Sequence, residues 1–383
     1  MIINVHIYPS SFKSATRILK ETRSLLKLGL VDRIILVGIL EDGLLEKEEM
    51  YPGIEVHRLK VKQIGSSINW VRYLGFMLFL IKAYWLIRNL KCSIINVHSL
   101  HVLLIGVLLK RKLKCKLVYD THELETEVTG SSGILRYLSK ILEKFCIKFV
   151  DEIIVVSKCI ENWYSKKYNY SNITTIYNIP YRKSQQFINE SQIKLRAKIG
   201  LKQDDLLFIY QGLFTKARGV DNILKAFSNM SEKFHVVFMG SGPYESEIIK
   251  ACNNFSNIHY HPPVAPDEVL TYTREADIGI HIIKNTCLNH YFCLPNKIFE
   301  YLLAGIPFIV SNFPELTKLA KETGGGWTCE PEETSLRDLI RKLTLKDLNS
   351  KRDNIKKNIS KFGWDLEELK YISIYQRLLT KKY

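Results

Sequence analysis

The sequence has no CxxC pair, no internal repeat and no low-complexity tract. Its eight cysteines stand at positions 92, 115, 146, 159, 252, 287, 293 and 329 with no regular spacing. That scatter supports neither a zinc site nor a disulfide framework, and it predicts free thiols in a reducing compartment. No charged-then-apolar segment precedes the first apolar run at Ile2, so the chain is expected to stay in the cytoplasm. Long uncharged runs are scarce as well. In INWVRYLGFMLFLIKAYWLIRNL, Ile68 to Leu90, the longest is Tyr73 to Ile81, nine residues, well short of the roughly 20 that a bilayer span needs. There is no recognised nucleic-acid-binding motif and no regular aromatic-basic platform, so no nucleic acid partner is expected.

What is present is a globular composition with an excess of positive charge. Hydrophobic residues make up 46% and charged residues 25% of 383 positions. That is enough apolar material for two cores, and the length is too great for one ordinary core. The formal net charge of +16 is uneven: residues 1–150 carry 23 Lys+Arg against 13 Asp+Glu, and residues 151–383 carry 32 against 26. An anionic partner is therefore expected at the N-terminal half.

Short apolar runs alternate with amphipathic segments along the chain. INVHIY, RIILVGI, CSIINVH, KLVYDTHE and DEIIVVS read as strands, and ATRILKETRSLLKLG has helical spacing closed by Gly29. After NITTIYNIPYRKS the alternation restarts with LLFIYQG, FHVVFMGSGP, ADIGIHII and IPFIVSN. Strand-helix alternation implies α/β units with parallel sheets and helices on both faces. Two doubly wound halves joined near Asn178 to Lys183 are expected, at 1–178 and 179–363. Ligands in such folds bind beyond the carboxyl ends of the strands.

Six stretches at those ends carry candidate chemistry. In IYQGLFTKARGVDNILKAF, Gly212 ends a strand, Gly219 opens a helix, and Lys216 and Arg218 lie between. Helix N-terminal N–H groups favour an anion there, a phosphate above all, although a solvated loop with two cations has the same sequence. FMGSGP places Gly240 and Gly242 where a backbone can approach a ligand, or simply turn. In LPNKIFEYLLAGIPFIVSN a helix starting near Asn296 would bury Ile298, Phe299, Leu302 and Leu303, with Lys297 and Glu300 neighbours on another face. They are either a surface ion pair or a ligand pair, the carboxylate for a ribose diol and the ammonium for a diphosphate. In the N-terminal half, His122 and His98 follow strands, and the loop PSSFKSATR offers Ser10, Ser11 and Arg17 as acceptor-side or anion contacts. A structural role is the alternative for each histidine.

LPNKIFEYLLAGIPFIVSNFPE, with YQGLFTKARGV, MGSGP, YDTHE and the closing FGWDLEELKYISIYQRLL, resembles the retaining glycosyltransferases of family four. The resemblance implies the GT-B fold: two Rossmann-like domains facing a cleft, an acceptor-binding N-terminal one and a C-terminal one for a nucleotide-sugar. A last helix, about 364–383, would complete the first domain. It further implies that Glu300 holds the ribose, Arg218 contacts the diphosphate, and His122 touches the donor sugar. Four positions depart from the pattern: Phe292 stands where the motif's first glutamate falls, Leu213 where an arginine is usual, and Ser10 and Ser11 where paired glycines are common. Lys297 would supply the missing positive charge.

No D-x-D triplet occurs, so Arg218, Lys297 and helix N-termini, rather than a metal, are expected to stabilise the leaving diphosphate. No cofactor and no metal ligand are expected. The resemblance, whose PNKxFEY variety is similar to that of capsule, O-antigen and exopolysaccharide enzymes, implies hexosyl transfer from a nucleoside-diphosphate sugar to a hydroxyl of a lipid-linked glycan in bacterial surface-polysaccharide assembly. The setting is the inner face of an anionic membrane, met by Trp70, Tyr73, Phe76, Phe79, Tyr84 and Trp85 and by the cluster KRKLKCK, Lys110 to Lys116. A nucleotide-sugar epimerase of the same fold and a non-catalytic basic nucleic-acid-binding protein are the alternatives.

Overall fold

The computed structural model describes residues 1–13, 15–61, 69–130, 132–182 and 195–380. Ser14 of the first loop, Ile68 of the aromatic segment and Lys183 of the expected junction lie outside them. The chain divides into two compact units, Met1–Tyr177 with Glu367–Tyr383, and Asn178–Leu366.

The first unit is built on strands β1 (Ile3–Ile7), β2 (Arg33–Ile39), β3 (Lys47–Tyr51), β4 (Ile54–Leu59), β5 (Ile94–Val97), β6 (Lys116–Asp120), β7 (Glu152–Val155) and β8 (Ile173–Thr175). They form one sheet in the order β3-β4-β2-β1-β5-β6-β7-β8. Its helices are α1 (Thr16–Lys27), α2 (Asn69–Ile87), α3 (Leu100–Leu113), α4 (Gly133–Ile147) and α5 (Lys158–Tyr168). Strands β1, β5 and β7 are buried at every position. Strands covered on both faces need continuous apolar runs of this kind.

The expectation of a purely parallel sheet fails at one edge, where β3 runs antiparallel to β4. Only Pro52 and Gly53 separate them, and Gly53 has φ 82°. A two-residue turn can join antiparallel strands, whereas a parallel pair needs a long crossover. Strand β3 alternates exposed and half-buried residues, as suits an edge.

The second unit carries β9 (Leu206–Leu213), β10 (Phe234–Ser241), β11 (Ile258–His261), β12 (Ile278–His281), β13 (Phe308–Ser311) and β14 (Gly326–Cys329), all parallel, in the order β11-β10-β9-β12-β13-β14. Its helices are α6 (Leu195–Lys198), α7 (Val220–Ser228), α8 (Glu245–Asn254), α9 (Val269–Arg274), α10 (Leu288–Tyr291), α11 (Asn296–Ala304), α12 (Pro314–Thr323), α13 (Glu333–Arg341) and α14 (Leu345–Asn358). Phe208, Tyr210, Ile223, Phe227, Val236, Phe238, Ile280 and Ile309 form the centre of its core. The order reverses between β9 and β12, the kind of switch point beside which doubly wound sheets bind ligands. Helix α15 (Trp364–Thr380) begins in this unit, and its residues from Glu367 belong to the first.

Candidate functional site

The carboxyl ends of β9 and β10 lie side by side, Gly212 paired with Gly240 and Leu213 with Ser241. Gly240 has φ 149°, and a Cβ there would fall 2.1 Å from the Gly212 carbonyl oxygen. That approach admits no side chain. Gly242 follows in the turn before α8. Beyond Gly212 and the exposed Leu213, residues Lys216–Arg218 make a 3-10 turn ending on Gly219 at φ 73°. A Cβ on Gly219 would lie 1.7 Å from the Ile282 carbonyl oxygen, so this turn too is held against the next strand. Lys216 is exposed and Arg218 half-buried.

Helix α11 begins at Asn296, which is exposed, directly after Pro295. Ile298, Phe299, Leu302 and Leu303 are buried, as the spacing predicts. Lys297 is buried with them, and its Nζ has no hydrogen-bond partner. The amine sits 4.5 Å from the centre of the Tyr210 ring and would be 3.2 Å from a Cβ on Gly212. Glu300, half-buried, accepts from Gln211 Nε2, while Gln211 Oε1 accepts from Thr273 Oγ1 at 2.8 Å. The helix thus delivers Lys297 and Glu300 to consecutive residues at the end of β9.

Burial, and then the like charge of Arg218, push the Lys297 ammonium down from 10.5 to about 7, with Glu300 opposing. His281, at the end of β12, is buried with neither ring nitrogen hydrogen-bonded. Burial first, then Lys297 and Arg218, hold it far below the ordinary histidine range. Among the described residues neither Lys297 nor Arg218 makes an ion pair. A phosphate group would neutralise them and draw the proton back onto Lys297, and the Glu300 carboxylate can accept from hydroxyls. Tyr210, Gln211 and His281 were not singled out from the sequence. Their signal is a polar group at the end of an otherwise apolar strand, in IYQG and GIH. Phe292 packs its ring 5.5 Å from that of Tyr291.

In the first unit, polar side chains run across three neighbouring strands. Asn4 Nδ2 donates to the Ile94 carbonyl at 3.1 Å and to Asn96 Oδ1 at 2.9 Å. Asn4 Oδ1 meets His6 Nε2 at 2.6 Å, and His6 Nδ1 meets His98 Nε2 at 2.8 Å. His98 Nδ1 then lies 3.2 Å from His122 Nε2 and 3.0 Å from Asp120 Oδ2. Burial is the main cause that holds His6 well below the ordinary range and lowers His98 to about 4. Burial acts against the Asp120 carboxylate, but the adjacent Arg17 guanidinium, together with His122 and His98, outweighs burial and keeps that carboxyl well below its usual range. His98, Asp120 and His122 together form a group of metal-ligand type.

The acceptor-side candidates separate. His98 is fully buried in this chain of contacts, and His122, at 23% side-chain exposure, is its outer end. Arg17 is buried in the first turn of α1, bound to Asp120 Oδ1 at 3.1 Å and the Ile176 carbonyl at 3.0 Å, with Glu21 2.9 Å away. Its guanidinium is spent on these internal contacts instead of being presented by the loop, and its Nε, though close to Glu21, makes no hydrogen bond. Ser11 is buried and its carbonyl accepts from Arg58 at 2.7 Å, while Ser10 Oγ accepts from the Phe12 amide at 3.3 Å.

Helix α2 buries one narrow stripe, Gly75, Phe79, Ala83 and Ile87, each one turn from the last. Its other side exposes Trp70, Tyr73, Leu74, Met77, Ile81 and Trp85. By length and composition Trp70–Ile87 is apolar enough to cross a bilayer, with mean hydropathy 1.4, so the short uncharged run understates it: Arg72 and Lys82 interrupt the run without removing the apolar average. Helix α3, packed against both α2 and α4, exposes Leu104 and Leu108, and α4 exposes Ile134, Leu135, Tyr137, Leu138, Ile141 and Phe145. Of the five cations in KRKLKCK, Lys110 and Lys116 reach Asp151. No ion pair is recorded for Arg111, Lys112 or Lys114 among the described residues.

A family model described as Glycosyl transferases group 1 matches residues 191–362, and one described as Glycosyltransferase Family 4 matches residues 17–179. The chain is 23% identical over 354 residues to the chitobiosyldiphosphodolichol beta-mannosyltransferase of Kluyveromyces lactis, covering 81% of this chain and 75% of that one. In fold it is similar to sucrose-phosphate synthase from Thermosynechococcus elongatus, with a TM-score of 0.80 at 15% identity over 99% of both chains. Anabaena HepE, solved in complex with UDP, gives a TM-score of 0.73 at 14% identity over 98% of this chain and 100% of that one. With both units matched and the fold shared, the chain belongs to the GT-B glycosyltransferases of the group 1 and family 4 type.

Proposed function

We propose that this glycosyltransferase is a retaining enzyme that moves a hexose-type unit from a nucleoside-diphosphate sugar to a hydroxyl of a lipid-linked glycan, in bacterial surface-polysaccharide assembly at the inner face of the cell membrane. The observation that carries the donor assignment is the buried, unpartnered Lys297 amine at the glycine end of β9. Arg218 and Lys216 stand in the adjoining turn, and Glu300 is one turn further along the same helix. The diphosphate lies against Lys297, Arg218 and the turn into α7, and the ribose lies at Glu300. The UDP held by the Anabaena neighbour supports a nucleotide donor. The name of the yeast relative supports a lipid-diphosphate-linked acceptor.

In this mechanism the bond between sugar C1 and the diphosphate oxygen breaks toward an oxocarbenium-like state. Arg218 and Lys297 stabilise the charge on the departing diphosphate in place of a metal. The acceptor oxygen bonds to C1 on the face the diphosphate leaves, and its proton passes to a departing phosphate oxygen. His122 contacts the sugar. The apolar faces of α2, α3 and α4, with Arg111, Lys112 and Lys114 nearby in sequence, support a resting place on an anionic membrane surface.

The test is a thermal-shift panel of nucleotide-sugars, in which a donor at a hundred times its dissociation constant stabilises by roughly 2.7 kcal/mol. Calorimetry on Glu300→Ala and Arg218→Ala should then show losses of about ten- to a hundredfold, the worth of a charged hydrogen bond. Wild-type affinity in both folded variants would overturn the site.

A further inference from the structure

The hydrogen bonds across β1, β5 and β6 have a direction, and it is set by the backbone. Asn4 Nδ2 faces the Ile94 carbonyl, which only accepts, so Asn4 presents its oxygen to His6. His6 Nε2 must donate to that oxygen, which leaves a lone pair on His6 Nδ1. His98 Nε2, 2.8 Å away, must donate in turn. The lone pair of His98 Nδ1 is therefore turned toward Asp120 Oδ2 and His122 Nε2. Arg17 occupies the other oxygen of Asp120, and Oδ2 is buried with no hydrogen-bond partner. Two acceptors face each other at 3.0 Å, with a third atom 3.2 Å from one and 3.6 Å from the other.

His122 Nε2 meets the His98 lone pair as an N–H donor at 3.2 Å, which still leaves Asp120 Oδ2 without a partner; a cation that replaces that proton satisfies all three atoms. A proton bridging His98 Nδ1 and Oδ2 requires a near-linear contact, and these atoms approach without hydrogen-bond geometry. An ion off that line suits all three. With metal–ligand bonds of about 2.0–2.1 Å, the donor atoms of a tetrahedral site lie roughly 3.3 Å apart. The three edges here, 3.0, 3.2 and 3.6 Å, bracket that value. The outer sphere is also in place, since His98 gives its other N–H to His6, the arrangement that fixes the ring of a metal-bound histidine.

We propose that His98 Nδ1, Asp120 Oδ2 and His122 Nε2 form a binding site for one divalent transition-metal ion of the zinc or cobalt type, with its remaining position toward the partly exposed side of His122. The donor set, two imidazoles and one carboxylate, is borderline in softness and favours such ions over magnesium or calcium. An ion held here occupies the lone pair of His122, so its occupancy inhibits sugar transfer. That consequence rests on the role proposed for His122, whereas metal binding itself does not.

Cobalt(II) titration of the chelator-treated full chain, followed by visible absorption, tests the site without any activity measurement. The expected result is one equivalent of bound cobalt with d–d bands of nitrogen and oxygen ligation, displaced by zinc and absent in His122→Ala. Because His122 is partly exposed, that variant should keep its circular dichroism spectrum. His98→Gln is the second variant, and in its folded form it too should fail to bind cobalt. Absence of stoichiometric binding to the wild type would overturn the proposal. So would a thiolate charge-transfer band, or cobalt binding that persists in His122→Ala, since either would assign the ion to the cysteines or to another surface.

Discussion

Replacing Lys297 with methionine separates the cost of a buried amine from its use. The native side chain is buried, has no hydrogen-bond partner and lies over Tyr210 beside Arg218. Methionine keeps the apolar stem and removes the charge. Displacement of the ammonium from 10.5 to about 7 corresponds to roughly 5 kcal/mol against the charged form. The folded chain holds this proton less tightly than the unfolded one. Between pH 7 and 10.5 the unfolded state therefore binds more protons, and wild-type stability rises with pH through that window. The penalty is fully present below pH 7 and is relieved as the pH climbs. Lys297→Met should thus be more stable than wild type at pH 6, with an advantage that shrinks by roughly 2 to 3 kcal/mol by pH 9.

The same substitution should weaken UDP binding at neutral pH by about ten- to a hundredfold. A diphosphate against Lys297 restores its charge, so UDP binding to the wild type at pH 8 should take up a proton, and the variant should take up none. Urea denaturation at pH 6, 7.5 and 9 measures the first effect. Calorimetry in two buffers of different ionisation heat measures the second. A stability difference that is flat with pH, or equal UDP affinity in the two proteins, would refute the placement of Lys297 at the anion site.

Other outcomes follow from the same geometry. His122→Ala should lower kcat more than donor affinity, because its contact is with the sugar; full turnover with the true acceptor would make it structural. Sugar transfer should survive excess EDTA, and complete loss restored by manganese or magnesium would contradict the cationic leaving-group site. Gly240→Ala should destabilise the second unit by about 1 to 3 kcal/mol or more, because its Cβ meets the Gly212 carbonyl at 2.1 Å; an unchanged urea midpoint would show that the strand ends can separate. Sedimentation with anionic liposomes should weaken with salt and fall when Trp70 and Met77 are replaced by serine in folded protein, and equal recovery in the supernatant with neutral and anionic vesicles would remove the membrane from the account.

Nine strands were legible because parallel strands covered on both faces must be apolar throughout, and RIILVGI or DEIIVV can be little else. Strands β4, β8, β11 and β14 were not read from the sequence, and β3 escaped because KEEMY is polar and lies at an edge, where nothing demands hydrophobicity. Its sign was the Pro52-Gly53 turn. The residues of α11 were legible as a set and Lys297 was not placed by them. Spacing tells which residues share a helix face, but it does not tell how deeply a flanking lysine is buried, which depends on Tyr210 and Gly212 some 85 residues earlier.

The polar chain of the first unit follows from a stricter rule. INVH occurs at Ile3–His6 and again at Ile95–His98, and YDTH ends the neighbouring strand. Side chains two apart in a strand share a face, so Asn4 with His6, Asn96 with His98, and Asp120 with His122 present polar groups from three adjacent strands of a buried sheet. A buried polar atom without a partner costs about 1 to 3 kcal/mol, so such groups must be satisfied by one another or by a guest. Here the inner members are satisfied: Asn96 donates to Tyr375, and Asn4, His6 and His98 hand one hydrogen bond along. The deficit is passed outward until it reaches Asp120 Oδ2, next to the partly exposed His122. A chain that spends its donors inward and leaves its acceptors at the mouth is arranged to receive a cation or a hydroxyl donor, and the fixed Ile94 carbonyl at its closed end sets that polarity.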